Sequence, residues 1–111
     1  MLKKRDLIEY FFQGIKSKDK LKIGVEHEKF LLDKHSLKPL SYTGVNGIED
    51  IFKQLINLGW NPISEGNPSR VIALKKDLEF ITLEPGGQIE LSGAPLNNIH
   101  ETCTETNIHL E

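Results

Sequence analysis

Three short alternating segments follow one another at Arg70 to Lys75, Glu79 to Glu84 and Gln88 to Ser92. Apolar residues recur at spacings of three and four in Leu2 to Ile15 and in Gly47 to Leu58. Together these patterns predict an α+β fold, with an antiparallel sheet flanked by helices. The 111 residues allow one small domain and rule out a large multidomain machine.

In the first helix Leu7, Ile8, Phe11, Phe12 and Ile15 form one stripe, with Lys3, Lys4, Arg5, Asp6 and Glu9 around the rest. This reads as a packing helix that ends at Gly14, with a solvated connection over Lys16 to Lys20. Leu21 to Asp33 then alternates. Ile23, Val25, His27, Lys29 and Leu31 share one face, and Gly24, Glu26, Glu28, Phe30 and Leu32 the other. Lys34 to Gly44 reads as a loop. The second helix has a capping-box spacing at Asn46 and Glu49 and stops at Gly59. Trp60 to Ile63 fits a short strand, and Ser64 to Ser69 a turn. Lys76-Asp77 and Pro85-Gly86-Gly87 separate the three later strands, which predicts a consecutive meander. Asn97 or Asn98 caps a last helix from Ile99 to Leu110, which has few apolar positions.

Composition excludes several functions. Fourteen Lys and Arg against 16 Asp and Glu leave a formal charge of -2, with no basic field for nucleic acid or an anionic membrane. The apolar runs are too short for a transmembrane helix, and the first residues lack the pattern of a signal peptide. The single cysteine, Cys103, excludes an internal disulfide framework and is expected to be a small packing residue. A reducing, cytoplasmic location follows as the expectation.

Two stretches could carry chemistry. In Gly24-Val25-Glu26-His27-Glu28-Lys29-Phe30 the strand period sends Glu26 and Glu28 to one face, roughly 6–7 Å apart, with His27 pointing away. Neighbouring carboxylates repel unless a cation or solvent lies between them, and hard oxygen donors suit Mg²⁺ or Mn²⁺. On spacing alone a solvated strand is the commoner case, since E-x-E is frequent. The second stretch runs from Leu83-Glu84-Pro85-Gly86-Gly87-Gln88-Ile89-Glu90-Leu91 to Ser92-Gly93-Ala94-Pro95. Gln88, Glu90 and Ser92 share a face in any register. A three-residue loop adds Thr82 and Glu84 to that face; a two-residue loop sends Glu84 to the opposite one. Ile81, Leu83, Ile89 and Leu91 already supply a core on the reverse, which frees the polar face to line a cleft. Carboxylates on neighbouring strands would form an acidic floor for divalent cations, suited to chemistry on nucleotide phosphates. Arg70, Lys75 and Lys76 are best read as solvated surface.

These two stretches, in this order and separation, resemble the opening motifs of glutamate–cysteine ligase of the plant and proteobacterial type. Ile99-His100-Glu101-Thr102-Cys103 after the second motif fits as well, and the similarity runs through essentially the whole chain. The resemblance implies a fold similar to glutamine synthetase, with an antiparallel sheet curved around a funnel. It implies ATP-dependent joining of the γ-carboxylate of glutamate, through an acyl phosphate, to cysteine, the first step of glutathione synthesis. The implied cofactors are ATP and Mg²⁺, with Mn²⁺ as a substitute. Carried over by position, Glu26, Glu28 and Glu90 become metal ligands. Glu84 joins them if the register allows, and Gln88 contacts substrate or a metal-bound water.

Such enzymes are several times longer. Residues 1–111 are therefore expected to be the N-terminal part of one catalytic domain, inactive or marginally folded alone. The alternatives are a sibling carboxylate–amine ligase with another amine acceptor, a non-catalytic metal- or nucleotide-binding module, and a piece completed in trans by a separate chain.

Overall fold

The computed structural model describes residues 1–110. The helices are α1 (Lys4–Gln13), α2 (Ile48–Asn57) and α3 (Ile99–Leu110), and the strands are β1 (Glu26–Phe30), β2 (Asn61–Glu65), β3 (Arg70–Lys76), β4 (Glu79–Glu84) and β5 (Gln88–Ser92). All five strands form one antiparallel sheet in the order β1-β5-β4-β3-β2. The α+β expectation holds, and so does the meander, which β2 extends by one strand. β1 is shorter than its alternating pattern; Ile23 and Leu32, beyond its ends, pair only as isolated bridges to Leu96 and Pro39. Among the described residues no helix is long and apolar enough to cross a membrane.

The core lies on one face of the sheet. Leu74, Ile81, Ile89 and Leu91 point from β3, β4 and β5 onto Ile48 and Phe52 of α2. Half-buried Ile51, Leu55, Trp60 and Leu83 widen this cluster. The strand period does the sorting: each buried residue of β5 alternates with a half-exposed one. At the N-terminus of α2 the backbone itself makes the cap. Gly47 occupies the cap position, and no side chain bonds there. Asn46 has a φ of 60°, and its amide donates to Asp50, so the Asn46–Glu49 capping box expected from spacing is not formed.

The helix at α1 exists, but its expected packing does not. None of its residues is buried, and Phe11 and Phe12 are 75% and 67% exposed. The stripe specifies an amphipathic helix without specifying what it covers.

α3 docks behind β1 through polar residues, which explains its poor apolar pattern. Thr102 and Glu105 are its buried positions. His27 Nε2 lies 3.1 Å from Thr106 Oγ1, and Lys29 Nζ donates to the carbonyl of His109 at 3.4 Å. Cys103 is exposed, against the expectation of a packing residue: it lies next to the inward-facing Thr102 and points away from the sheet. Asn98 is the cap of this helix, since its Oδ1 accepts the amides of His100 (3.0 Å) and Glu101 (3.1 Å). Asn98→Ala should lower stability by about 1 kcal/mol, read as a shift of the urea midpoint at unchanged slope.

His109 gives this docking a pH dependence. Burial holds its imidazole below the usual 6.5, with Lys29 and His27 acting the same way and Glu105 against them. With a depressed folded pKa, the unfolded chain takes up the proton first. The contribution of neutral His109 is therefore present above pH 6.5 and is lost as pH falls through the folded value. Urea midpoints should fall on going from about pH 7.5 to about 5.5, and His109→Gln should flatten that decline.

Candidate active site

The strand registers assemble one polar face. Glu26 pairs with Ser92, Glu28 with Glu90, and Phe30 with Gln88 between β1 and β5. Between β5 and β4, Ser92 pairs with Phe80, Glu90 with Thr82, and Gln88 with Glu84. Residues directly opposite in an antiparallel pair share a face, with Cβ atoms roughly 5 Å apart. Glu26, Glu28, Glu84, Gln88 and Glu90 therefore all stand on the side away from the core.

The loop decides the position of Glu84. Pro85, Gly86 and Gly87 make a three-residue link, and both glycines have positive φ, 80° and 78°. Such a path suits glycine and brings β5 back with Gln88 facing Glu84. Of the two registers open to the sequence, the structure takes the one that gathers all four carboxylates.

Neutral donors hold three of the four carboxylates. Gln88 Nε2 donates to Glu28 Oε2 at 3.0 Å, Ser92 Oγ to Glu90 Oε1 at 2.8 Å, and Thr82 Oγ1 to Glu84 Oε1 at 2.9 Å. Each bond engages one oxygen and leaves the other available. Glu26 and Glu28 on β1 are exposed, while Glu84 and Glu90 are half-buried. Glu28 and Glu90 are like charges directly opposite each other, an arrangement that costs stability in a sheet unless solvent or a cation separates them.

These donors suit a hard cation in kind. Among the described residues no three His, Cys, Asp or Glu side chains come close enough to form a ready-made metal cage. Mg²⁺ does not require one, since it is commonly held by one or two carboxylates with waters and phosphate oxygens completing its shell. The facing positions Glu28 and Glu90 supply two carboxylates on the same face of the sheet.

His27 lies on the reverse of the sheet beneath α3 and takes no part in this face. The pairing of Lys75 with Phe80 places Lys75 at its far side, where Nζ sits 5.4 Å from the Phe80 ring centroid. The sequence signals did not single out Glu79 and Glu105, which sit on the opposite side in a cavity described below. A lone buried Glu in a polar helix has no local signature.

Residues 22–111 match the model of glutamate-cysteine ligase family 2. The chain is 47% identical over 113 residues to the chloroplastic glutamate–cysteine ligase of Medicago truncatula and 45% identical over 113 residues to that of Arabidopsis thaliana. It is 46% identical over 110 residues to chloroplastic glutamate–cysteine ligase A of Oryza sativa subsp. japonica. These matches cover 98% of this chain but only 20–21% of each relative. The chain belongs to glutamate-cysteine ligase family 2 and spans about a fifth of the length of the curated relatives it matches.

The comparison overturns one expectation. The lone cysteine pointed to the cytoplasm, but the relatives are all named chloroplastic. A single unpaired thiol signals only a reducing compartment, and so it cannot separate the cytosol from the plastid interior.

Proposed function

We propose that this chain forms the acidic part of the active site of a ligase that joins glutamate to cysteine at the expense of ATP. In this reading residues 1–111 are the N-terminal part of a single catalytic domain related in fold to glutamine synthetase. The observation that carries it is the gathering of Glu26, Glu28, Glu84, Glu90 and Gln88 on the open face of β1, β5 and β4. Membership of the family supplies the reaction class.

The substrates explain why such a face is needed. ATP and glutamate are both anionic and repel one another, and they also repel a bare carboxylate surface. Bound Mg²⁺, or Mn²⁺ in its place, would offset that charge and stabilise the transfer of the γ-phosphoryl group to the glutamate γ-carboxylate. Glu28 and Glu90 would hold the metal from facing strands, with Glu26 and Glu84 extending the donor set to either side. Gln88, already donating to Glu28, would orient that carboxylate. The cysteine amine then displaces phosphate from the acyl phosphate, giving the amide and free phosphate. The remainder of the domain, or a second polypeptide in trans, would contribute the other substrate contacts.

Manganese provides the direct test. Titrating Mn²⁺ into the isotopically labelled 111-residue chain should broaden amide signals of β1, β5 and the end of β4, and EDTA should restore them. Glu90→Gln should weaken the effect by ~10-fold or more. Broadening centred on α3 or the core face, or spread evenly over all carboxylates, would sink the assignment.

A further inference from the structure

The face of the sheet opposite the carboxylates is not packed solid. A cavity of about 400 Å³ lies between α2, the sheet and α3. Leu55, Trp60, Ile81 and Ile108 make most of its wall apolar, and Glu79, Glu105 and His109 add polar atoms.

Two of these polar atoms are buried without a conventional hydrogen-bond donor or acceptor beside them. Glu105 is only 9% exposed. Its Oε1 accepts the Ala94 amide at 2.6 Å, whereas its Oε2 has no hydrogen-bond partner, and neither has Nε2 of His109. Lys76, on the rim, directs its Nζ to the Leu58 carbonyl (3.5 Å) and the Trp60 ring (5.9 Å). Among the described residues the ion pairs lie within α1 and α2, and none reaches Glu79 or Glu105. Burial, and after it the neighbouring Glu105, pushes the Glu79 carboxyl above its usual range. Glu79 and Glu105 can relieve this crowding by sharing one proton; two ionised carboxyls in an apolar cavity are costly unless a cation joins them.

We propose that this cavity seats an arginine side chain from the part of the ligase outside residues 1–111. A guanidinium carries five donors and no acceptor, which matches two carboxyls and the neutral imidazole. It keeps its charge when buried, and its three-carbon stem can lie along Trp60 and Ile108. The chain covers about a fifth of its relatives' length, so most of the polypeptide that could supply the residue lies elsewhere in those enzymes. The inference is independent of the metal reading, because the two sites occupy opposite faces of the sheet and either can fail alone.

n-Butylguanidinium is the probe for the 111-residue chain, followed by the fluorescence of Trp60, the single tryptophan, and by the carboxyl carbon shifts of Glu79 and Glu105. The expected result is saturable binding that weakens by ~10-fold or more in Glu105→Gln, and by less in Glu79→Gln, with circular dichroism unchanged. Saturation by butan-1-ol with the same affinity, or an unaltered response in Glu105→Gln, overturns the proposal. A chimaera identifies the occupant: residues 1–111 replace the matching part of the Medicago truncatula ligase. Loss of probe binding there supports an internal arginine. Binding at undiminished affinity makes the cavity a small-molecule site and overturns the polypeptide occupant.

Discussion

Glu90→Gln should lower γ-glutamylcysteine formation by about two orders of magnitude or more in a full-length ligase carrying this segment, while leaving the fold at least as stable. Glu90 is the central member of the polar face, with Glu28 opposite it on one side and Thr82 on the other. If it helps hold the cation that offsets phosphate charge, its loss removes transition-state stabilisation worth about 3 kcal/mol, which is a factor of ~10² in rate. The amide has the same shape and still accepts the Ser92 hydroxyl, a bond of 2.8 Å in the native chain. It also removes one of two facing like charges, whose repulsion costs a sheet roughly 0.2–1 kcal/mol. Activity and stability should therefore move in opposite directions. The checks are a coupled phosphate-release assay with glutamate and cysteine, and urea denaturation of the same preparation. A rate that falls only in proportion to lost folded protein would place Glu90 among structural residues.

Gly93→Ala should destabilise the chain by about 2–3 kcal/mol. The reason is space, not backbone conformation. A Cβ at Gly93 would lie 2.9 Å from Cδ of Glu105 and 3.0 Å from the Val25 carbonyl, with Glu105 Oε2 closer still. The obstruction is a buried carboxylate and a backbone oxygen, neither of which can swing aside as an exposed side chain could. Relief would break the Ala94-to-Glu105 bond (2.6 Å) or the Gly93-to-Val25 bond (2.8 Å), and these join β5 to α3 and to the entry of β1. Removing the obstruction as well, in Gly93→Ala with Glu105→Ala, should recover part of the loss relative to the sum of the single changes. Urea midpoints of the four chains complete that cycle, and strict additivity would show that the clash is not the cause.

The meander and its two faces were legible because β4 and β5 alternate cleanly and turn residues punctuate them. Period 2 is a local property, so Gln88, Glu90 and Ser92 could be placed on one face before any contact was known. Glu84 could not, because its side depends on how many residues the Pro85-Gly86-Gly87 link consumes, and two counts fit the same letters. The pairing Glu28–Glu90 joins positions far apart in sequence, and alternation alone does not fix which residue faces which. α3 was legible in extent but not in docking, because its anchors are Thr102 and Glu105, polar residues whose partners lie in other elements. The amphipathic stripe of α1 announced a buried face that no described residue covers.

The two margins of the sheet differ in a way that bears on assembly. β2, at one margin, contains Pro62, which has no amide hydrogen to offer. β1, at the other, contains no proline and carries Glu26 and Glu28. Growth of this sheet by a further strand is therefore directed to the β1 side. The alternate side chains of any newcomer there would fall in line with Glu26 and Glu28, so enlarging the sheet and extending its acidic face become the same event.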